Sequence, residues 1–270
     1  MVLTKTFLPA VIALSIVGPS ALDAQDASVA TASQETATKP DDGRRTMGRF
    51  FPNLGRDIVF VFSTDNLKPF LAGAALTAGS AAFDDRVQRY FGGPVRRAQW
   101  WGDTADVMDR AYVVVPTTLA LFALGRVTPH SHQRFKDMTY DFAEATVVNA
   151  LYTGALKYAV QRERPNGLNH YSFPSGHASD YFTWATVLGH HYGPKAGVPA
   201  FVLASLVGLG RLEKNEHYLS DVVGGATLGY LVGRTVVRED SRPLGAAKTV
   251  HVSIGPEARA RLGGRLFLAF

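Results

Sequence analysis

The stretch Gly210–Asp221, GRLEKNEHYLSD, decides how the chain is read. Five residues separate Arg211 from His217, and three separate His217 from Asp221. A helix starting near Leu219 puts His217 at its lip. Asp221 then lies one turn further on, within reach of one imidazole nitrogen. The other nitrogen is left unprotonated and aimed. Arg211 adds a fixed cation whose several donors suit a phosphate. These residues describe a nucleophilic or basic histidine, an orienting carboxylate and an anion clamp. Alone, such residues more often mark a solvated helix start, so the choice rests on what lies upstream.

Two upstream blocks bear on it. In the first, six residues separate Lys157 from Arg164, and Pro165 follows. Positions i and i+7 of a helix face the same way, so both cations can point at one place. Pro165 ends the helix and puts Arg164 at a mouth. A basic helix end that complements the dipole is the plainer alternative. Arg162 belongs to the same basic cluster but falls outside the spacing. The second block is Phe173-Pro174-Ser175-Gly176-His177, which opens a helix. Gly176 allows close backbone approach, Ser175 caps the helix or donates its hydroxyl, and the free N–H groups attract an anion. His177 then stands there as a proton donor, or as an incidental residue beside an ordinary cap. Each of the three blocks begins or ends a helix, as a shared site at one end of a bundle requires.

The rest of the chain supports an all-α bundle of about six core helices. Helices are predicted over Asn53 to Ser63, Leu67 to Ala82 and Thr104 to Leu124, the last interrupted or kinked at Pro116, with a charged stretch from Asp84 to Arg97 before it. Gly92-Gly93-Pro94 reads as a turn. One long helix is predicted from Ser131 to Arg162, then Ala178 to Tyr192, Gly197 to Arg211 and Leu219 to Arg238. Val250, Val252 and Ile254, then Leu266, Leu268 and Phe270, alternate with other residues around Gly255-Pro256, which predicts a short C-terminal hairpin.

Residues 1–24 read as a signal peptide: Lys5, an uncharged apolar run from Phe7 to Val17, and a cleavage point near Ala24. Residues 25–49 read as a disordered linker without periodicity, 50–240 as the helical domain, and 241–270 as a tail. The expected location is outside the cytoplasm, periplasmic or membrane-associated. With no cysteine, the 270-residue chain has no disulfide and no thiolate metal site. At 46% hydrophobic it can bury a real core. Its 28 basic and 23 acidic residues give a mild charge of +5, spread along the chain. That suits anionic substrates or an anionic membrane surface and gives no nucleic-acid signature. Asp141, Glu144 and Asn149 would be costly facing lipid but tolerable facing a bundle interior. Leu219 to Arg238 is the segment that argues most for a membrane span. His190 and His191 are expected at a surface or interface, and His130 and His132 in a solvated loop. Trp100 and Trp101 suit a core or a membrane surface. No close cluster of histidines and carboxylates is visible elsewhere, so no metal site is expected.

With its three blocks in this order, the sequence resembles the type 2 phosphatidic acid phosphatase superfamily, which includes lipid phosphate phosphatases, bacterial class A acid phosphatases and vanadium haloperoxidases. The match runs from Lys157 to Asp221. One departure is Gly210, where the family usually has Ser or Thr before the arginine. The resemblance implies a phosphatase acting on phosphomonoesters or on lipid phosphates and pyrophosphates, with its site on the non-cytoplasmic side. His217 would attack phosphorus to form a phosphohistidine, with Asp221 holding its tautomer. His177 would protonate the leaving oxygen and then activate water. Lys157, Arg164 and Arg211, with Ser175 and the Gly176 N–H, would bind the phosphoryl oxygens. Such cations do the work of a metal, so no cofactor is implied. Vanadate would inhibit, or in the alternative haloperoxidase reading would itself be the cofactor on His217.

Overall fold

The computed structural model describes residues 43–91, 110–241, 250–252 and 266–268. Among the described residues the helices are α1 (Phe50–Phe60), α2 (Leu67–Ala81), α3 (Asp84–Phe91), α4 (Val115–Val127), α5 (Gln133–Val160), α6 (Gly176–Tyr192), α7 (Pro194–Glu213) and α8 (Leu219–Glu239). Two short strands, β1 (Val250–Val252) and β2 (Leu266–Leu268), pair antiparallel with Val250 opposite Leu268. The fold is all-α, as the sequence predicts, with the expected hairpin at its end.

Helix α8 is the hub, packed against α6, α2, α5 and α1, while α7 lies along α6 and α4 along α5. Apolar residues at three- and four-residue spacing build its inner face: Leu228, Leu231, Val232 and Val236. They meet Met138, Phe142, Ala145 and Val148 of α5 and Val187 of α6. The segment that argued most for a membrane span is thus the buried centre of the bundle. The one described helix long and apolar enough to cross a membrane is α7. Asp141, Glu144 and Asn149 are fully buried, inside the bundle as expected.

Helices α6 and α8 touch backbone to backbone. A Cβ built on Gly225 would lie 2.4 Å from the Ser175 carbonyl oxygen, and one on Gly229 2.2 Å from that of Ser179. Neither obstacle is a side chain that can turn away. This contact fixes the first turn of α6 against the first turns of α8, which is where two of the three sequence blocks lie. Gly225→Ala should therefore cost about 3 kcal/mol of stability by overpacking. Thermal unfolding of the variant beside the parent chain measures this.

Several expectations are corrected. Helix α5 stops at Val160, with Gln161 in the left-handed region at φ 47°, before the expected end at Arg162. Arg164 consequently lies in a loop, and its proximity to Lys157 does not come from a shared helix face. Helix α1 begins at Phe50 and ends at Phe60, shifted towards the N-terminus from its expected range. Pro116 sits in the first turn of α4, where its missing N–H costs nothing, after a wider turn at Arg110–Val114. Helix α7 begins at Pro194 rather than Gly197 and accommodates Pro199 inside it. Arg45, assigned by composition to a linker, is buried, with Nε 2.5 Å from Asp141 Oδ1. The expected signal peptide, the Gly92-Gly93-Pro94 turn, Trp100 and Trp101 lie outside the described residues.

Candidate active site

All three sequence blocks meet at one end of the bundle. Lys157 projects from the last turn of α5. Arg164 sits in the α5–α6 loop. Ser175 stands at the N-cap position of α6 without a side-chain capping bond, and Gly176 and His177 open its first turn. Arg211 lies in the last turn of α7, His217 in the loop before α8, and Asp221 in the first turn of α8.

Their convergence is specific. Lys157 Nζ donates to the Tyr171 carbonyl at 2.5 Å, folding the loop back over the end of α5. A Cβ on Gly176 would lie 3.9 Å from Lys157 Cε, so the start of α6 abuts the lysine stem. The Ser175 N–H donates to the Asp221 carbonyl at 2.9 Å, joining the second block to the third. Ser175 Oγ is buried with no hydrogen-bond partner. Arg211 is buried at 2% exposure.

His217 is oriented differently from the sequence expectation. Its Nδ1 lies 2.6 Å from the Ser172 carbonyl oxygen and 3.8 Å from Asp221 Oδ2. The carbonyl is within hydrogen-bond range and the carboxylate is not. The carbonyl therefore fixes an Nδ1–H tautomer and leaves Nε2 as the lone-pair nitrogen. Asp221 acts one step removed. Its Oδ2 accepts from Ser172 Oγ at 2.5 Å and from the Tyr218 N–H at 2.8 Å, holding the segment that carries the carbonyl. The spacing of His217 and Asp221 gave proximity but could not supply Ser172, which lies on another loop.

Burial pushes the His217 imidazole below the usual histidine range, and the charges of Lys157 and Arg164 push the same way against the nearby Asp221. Both cations belong to the first block, so the first and third blocks share one electrostatic site. For Asp221, burial would raise the carboxyl, but donors around it and the Arg162 charge outweigh burial and hold it below the usual carboxylate range.

Two residues that the sequence spacing gave no role join this network. Arg162 Nη1 donates to Asp221 Oδ1 and to Ser220 Oγ, both at 2.7 Å, and its Nη2 to Asp84 Oδ2 at 2.8 Å. Asp84, from the start of α3, also receives the Ser220 N–H at 2.8 Å. Arg162 thus clamps α8 to α3 and neutralises the carboxylate behind His217. The second is Glu216. Its Oε2 accepts from Arg164 Nη1 at 2.9 Å and lies 3.5 Å from Arg211 Nη1. One carboxylate oxygen thus lies between two guanidinium groups, donors of the kind that also bind phosphate. Its place immediately before His217 was the available signal.

Residues 139–241 match the PAP2 superfamily. Over 80 residues the sequence is 40% identical to the lipid A 1-phosphatase of Porphyromonas gingivalis, a match covering 28% of this chain and 18% of that protein. The chain thus corresponds to less than a fifth of that relative's length. Among solved structures it resembles the transmembrane PAP2-type phosphatidylglycerolphosphate phosphatase of Bacillus subtilis, with a TM-score of 0.50, 21% identity, and 67% of this chain and 98% of that one covered. At that identity the likeness is one of fold. Residues 139–241, which carry the clamp and both histidines, are thus the part of the chain that is similar to the PAP2 superfamily.

Proposed function

We propose that the chain is a metal-independent phosphatase of the PAP2 type, acting on a lipid phosphate or pyrophosphate through a phosphohistidine on His217. The observation that carries this is the convergence of Lys157, Arg164 and Arg211 on a buried histidine whose free nitrogen is Nε2. His217 Nε2 attacks phosphorus while the three cations, the Ser175 hydroxyl and the Gly176 N–H take up charge on the phosphoryl oxygens. His177 gives a proton to the leaving oxygen. A water, with its proton taken by His177, then cleaves the phosphorus–nitrogen bond and frees phosphate and His217.

The lipid preference rests on the rim and the outer surface. Tyr158, Val160, Leu168 and Tyr171 stand exposed beside the clamp, at 69%, 46%, 75% and 41%. The outer faces of α2, α4 and α7 expose Leu71, Leu119 and Val198 as well. An anion site ringed by apolar side chains suits a phosphate carried on an acyl chain, with the protein at a membrane and the site on its non-cytoplasmic side. Both similar proteins named above are phosphatases of phosphorylated lipids by name.

The test is a substrate panel in EDTA: p-nitrophenyl phosphate, phosphatidic acid, phosphatidylglycerol phosphate and undecaprenyl pyrophosphate. Hydrolysis without added metal, preference for a lipid, and competitive inhibition by vanadate are expected. Activity unchanged by saturating vanadate contradicts the proposal. Halide oxidation in peroxide and vanadate, without phosphate release, would favour the haloperoxidase alternative.

Glu216 supplies a further expectation. Its carboxylate must leave Arg164 and Arg211 before a phosphate can enter. Glu216→Gln removes that competition, so the vanadate inhibition constant should fall about fivefold, the equivalent of about 1 kcal/mol for a partly exposed ion pair. Inhibition titrations of the two proteins decide it.

A further inference from the structure

At the opposite end of the bundle lies a second group of charged side chains that the phosphatase reading does not use. Asp57 of α1, Glu144 of α5 and Asp240 just past α8 each offer a carboxylate oxygen, all within 4.8 Å of one another. All three residues are fully buried. From Asp221 to Asp240 is most of the length of α8, about 28 Å at 1.5 Å per residue. The group is therefore separate from the phosphate clamp.

Its hydrogen bonding is incomplete in a specific way. Arg56 donates to Asp57 Oδ1 and to Asp240 Oδ1. The remaining oxygens, Asp57 Oδ2, Asp240 Oδ2 and both Oε atoms of Glu144, are buried without a hydrogen-bond partner. Arg45 and His191 donate to none of these oxygens, because both are turned to Asp141, Arg45 Nε at 2.5 Å and His191 Nε2 at 2.8 Å, although the Arg45 charge reaches Asp240. His191, expected at a surface or interface, is thus drawn into this region. Glu239 adds to the negative field at Asp57. Three buried carboxyl groups share the Arg56 guanidinium, and with all three ionised they carry two negative charges more than it offsets. Uncompensated, such burial is costly.

We propose that Asp57, Glu144 and Asp240 bind one hard divalent cation, of the Ca2+, Mg2+ or Mn2+ class, that ties α1, α5 and the end of α8 together. In the fully ionised group, one such ion would balance the two charges that Arg56 does not. The donor set is oxygen alone, which suits these ions over zinc or copper. Three oxygens within 4.8 Å of one another have a common point at most about 2.8 Å from each, so a small inward shift reaches the roughly 2.3–2.6 Å of Ca2+–oxygen contacts. The separations in sequence explain why no spacing motif announced the group: Asp57 and Glu144 are 87 residues apart, and Glu144 and Asp240 are 96 apart. The ion stabilises the fold and takes no part in phosphoryl transfer, so this proposal is independent of the phosphatase reading.

The test uses the full chain and Glu144→Gln, which keeps the side-chain shape and removes a charge. Both are produced in medium containing Mn2+, desalted into metal-free buffer, and analysed for bound metal by mass spectrometry and for bound Mn2+ by electron paramagnetic resonance. Thermal unfolding is recorded in EDTA and then in millimolar Ca2+, Mg2+ or Mn2+, each alone. The parent should retain about one divalent ion per chain and gain several degrees in Tm with at least one of the ions. The variant should lose both the ion and the gain. A parent chain that holds no ion and unfolds at the same temperature in EDTA as in each metal overturns the proposal. So does equal metal content in parent and variant. The parent measurements decide even where the variant fails to fold. Because the readouts are metal content and Tm, failure here leaves the phosphatase panel unaffected.

Discussion

Replacing His217 by alanine is expected to reduce kcat for the preferred substrate by at least roughly 1,000-fold, as removal of a covalent nucleophile does. The imidazole has the features the role requires: burial at 3% exposure, Nδ1 fixed on the Ser172 carbonyl, and Nε2 left as the lone pair. Full activity in the variant, with its Tm intact, would contradict the proposed mechanism. The depressed basicity of His217 gives this prediction a pH signature. Only the neutral imidazole attacks, so activity is lost as pH falls through the pKa of the histidine. That limb should lie below about 6.5, the ordinary histidine value. Lys157 is one cause of the depression, and Lys157→Gln removes its charge. The acid limb of the variant should move to higher pH, even though its overall rate is lower. Titration of the substrate phosphate is common to both proteins and cancels in the comparison.

The second large effect is expected at Arg162, a positioning residue without a place in the phosphate clamp. Arg162→Met leaves Asp221 and Asp84, both buried, without their shared counter-charge. Removing one partner of a fully buried pair costs about 3–5 kcal/mol. The Arg162 side chain is 31% exposed, so water supplies part of the loss. About 2–3 kcal/mol is the expected destabilisation after that discount. Its guanidinium also lies 4.1 Å from the centre of the Tyr218 ring, a contact lysine cannot reproduce in full. Catalysis should suffer through Asp221 and Ser172, which hold the carbonyl that orients His217. A kcat lower by about 100-fold with KM little changed is expected, with partial rescue by Arg162→Lys. A loss confined to stability, with kcat intact below the new Tm, would show that the network is structural alone.

The contrast between Lys157 and Arg162 shows what was legible in the sequence. Lys157, Arg164, Ser175, Gly176, His177, Arg211, His217 and Asp221 announce themselves because their spacing is local to a helix end or a loop. The helices were equally legible, since apolar periodicity and Gly or Pro breaks act over a few residues. What joins the blocks is not local. Arg162 acts through Asp84 and Asp221, 78 and 59 residues away. Ser172 orients His217 from 45 residues away, through a backbone carbonyl that carries no side-chain signature. The break at Gln161 was missed because a non-glycine residue at positive φ leaves no compositional mark. Arg45 was misassigned because composition over a window cannot register one buried ion pair with Asp141.

One tetrahedral anion is expected to sit among three segments distant in sequence. A structure of the protein with vanadate addresses it without any assay. Vanadium bonded to His217 Nε2, with its oxygens on Lys157, Arg164 and Arg211 and with Glu216 swung out, is the predicted result. Vanadate bound elsewhere, with Glu216 still bridging Arg164 and Arg211, would contradict it.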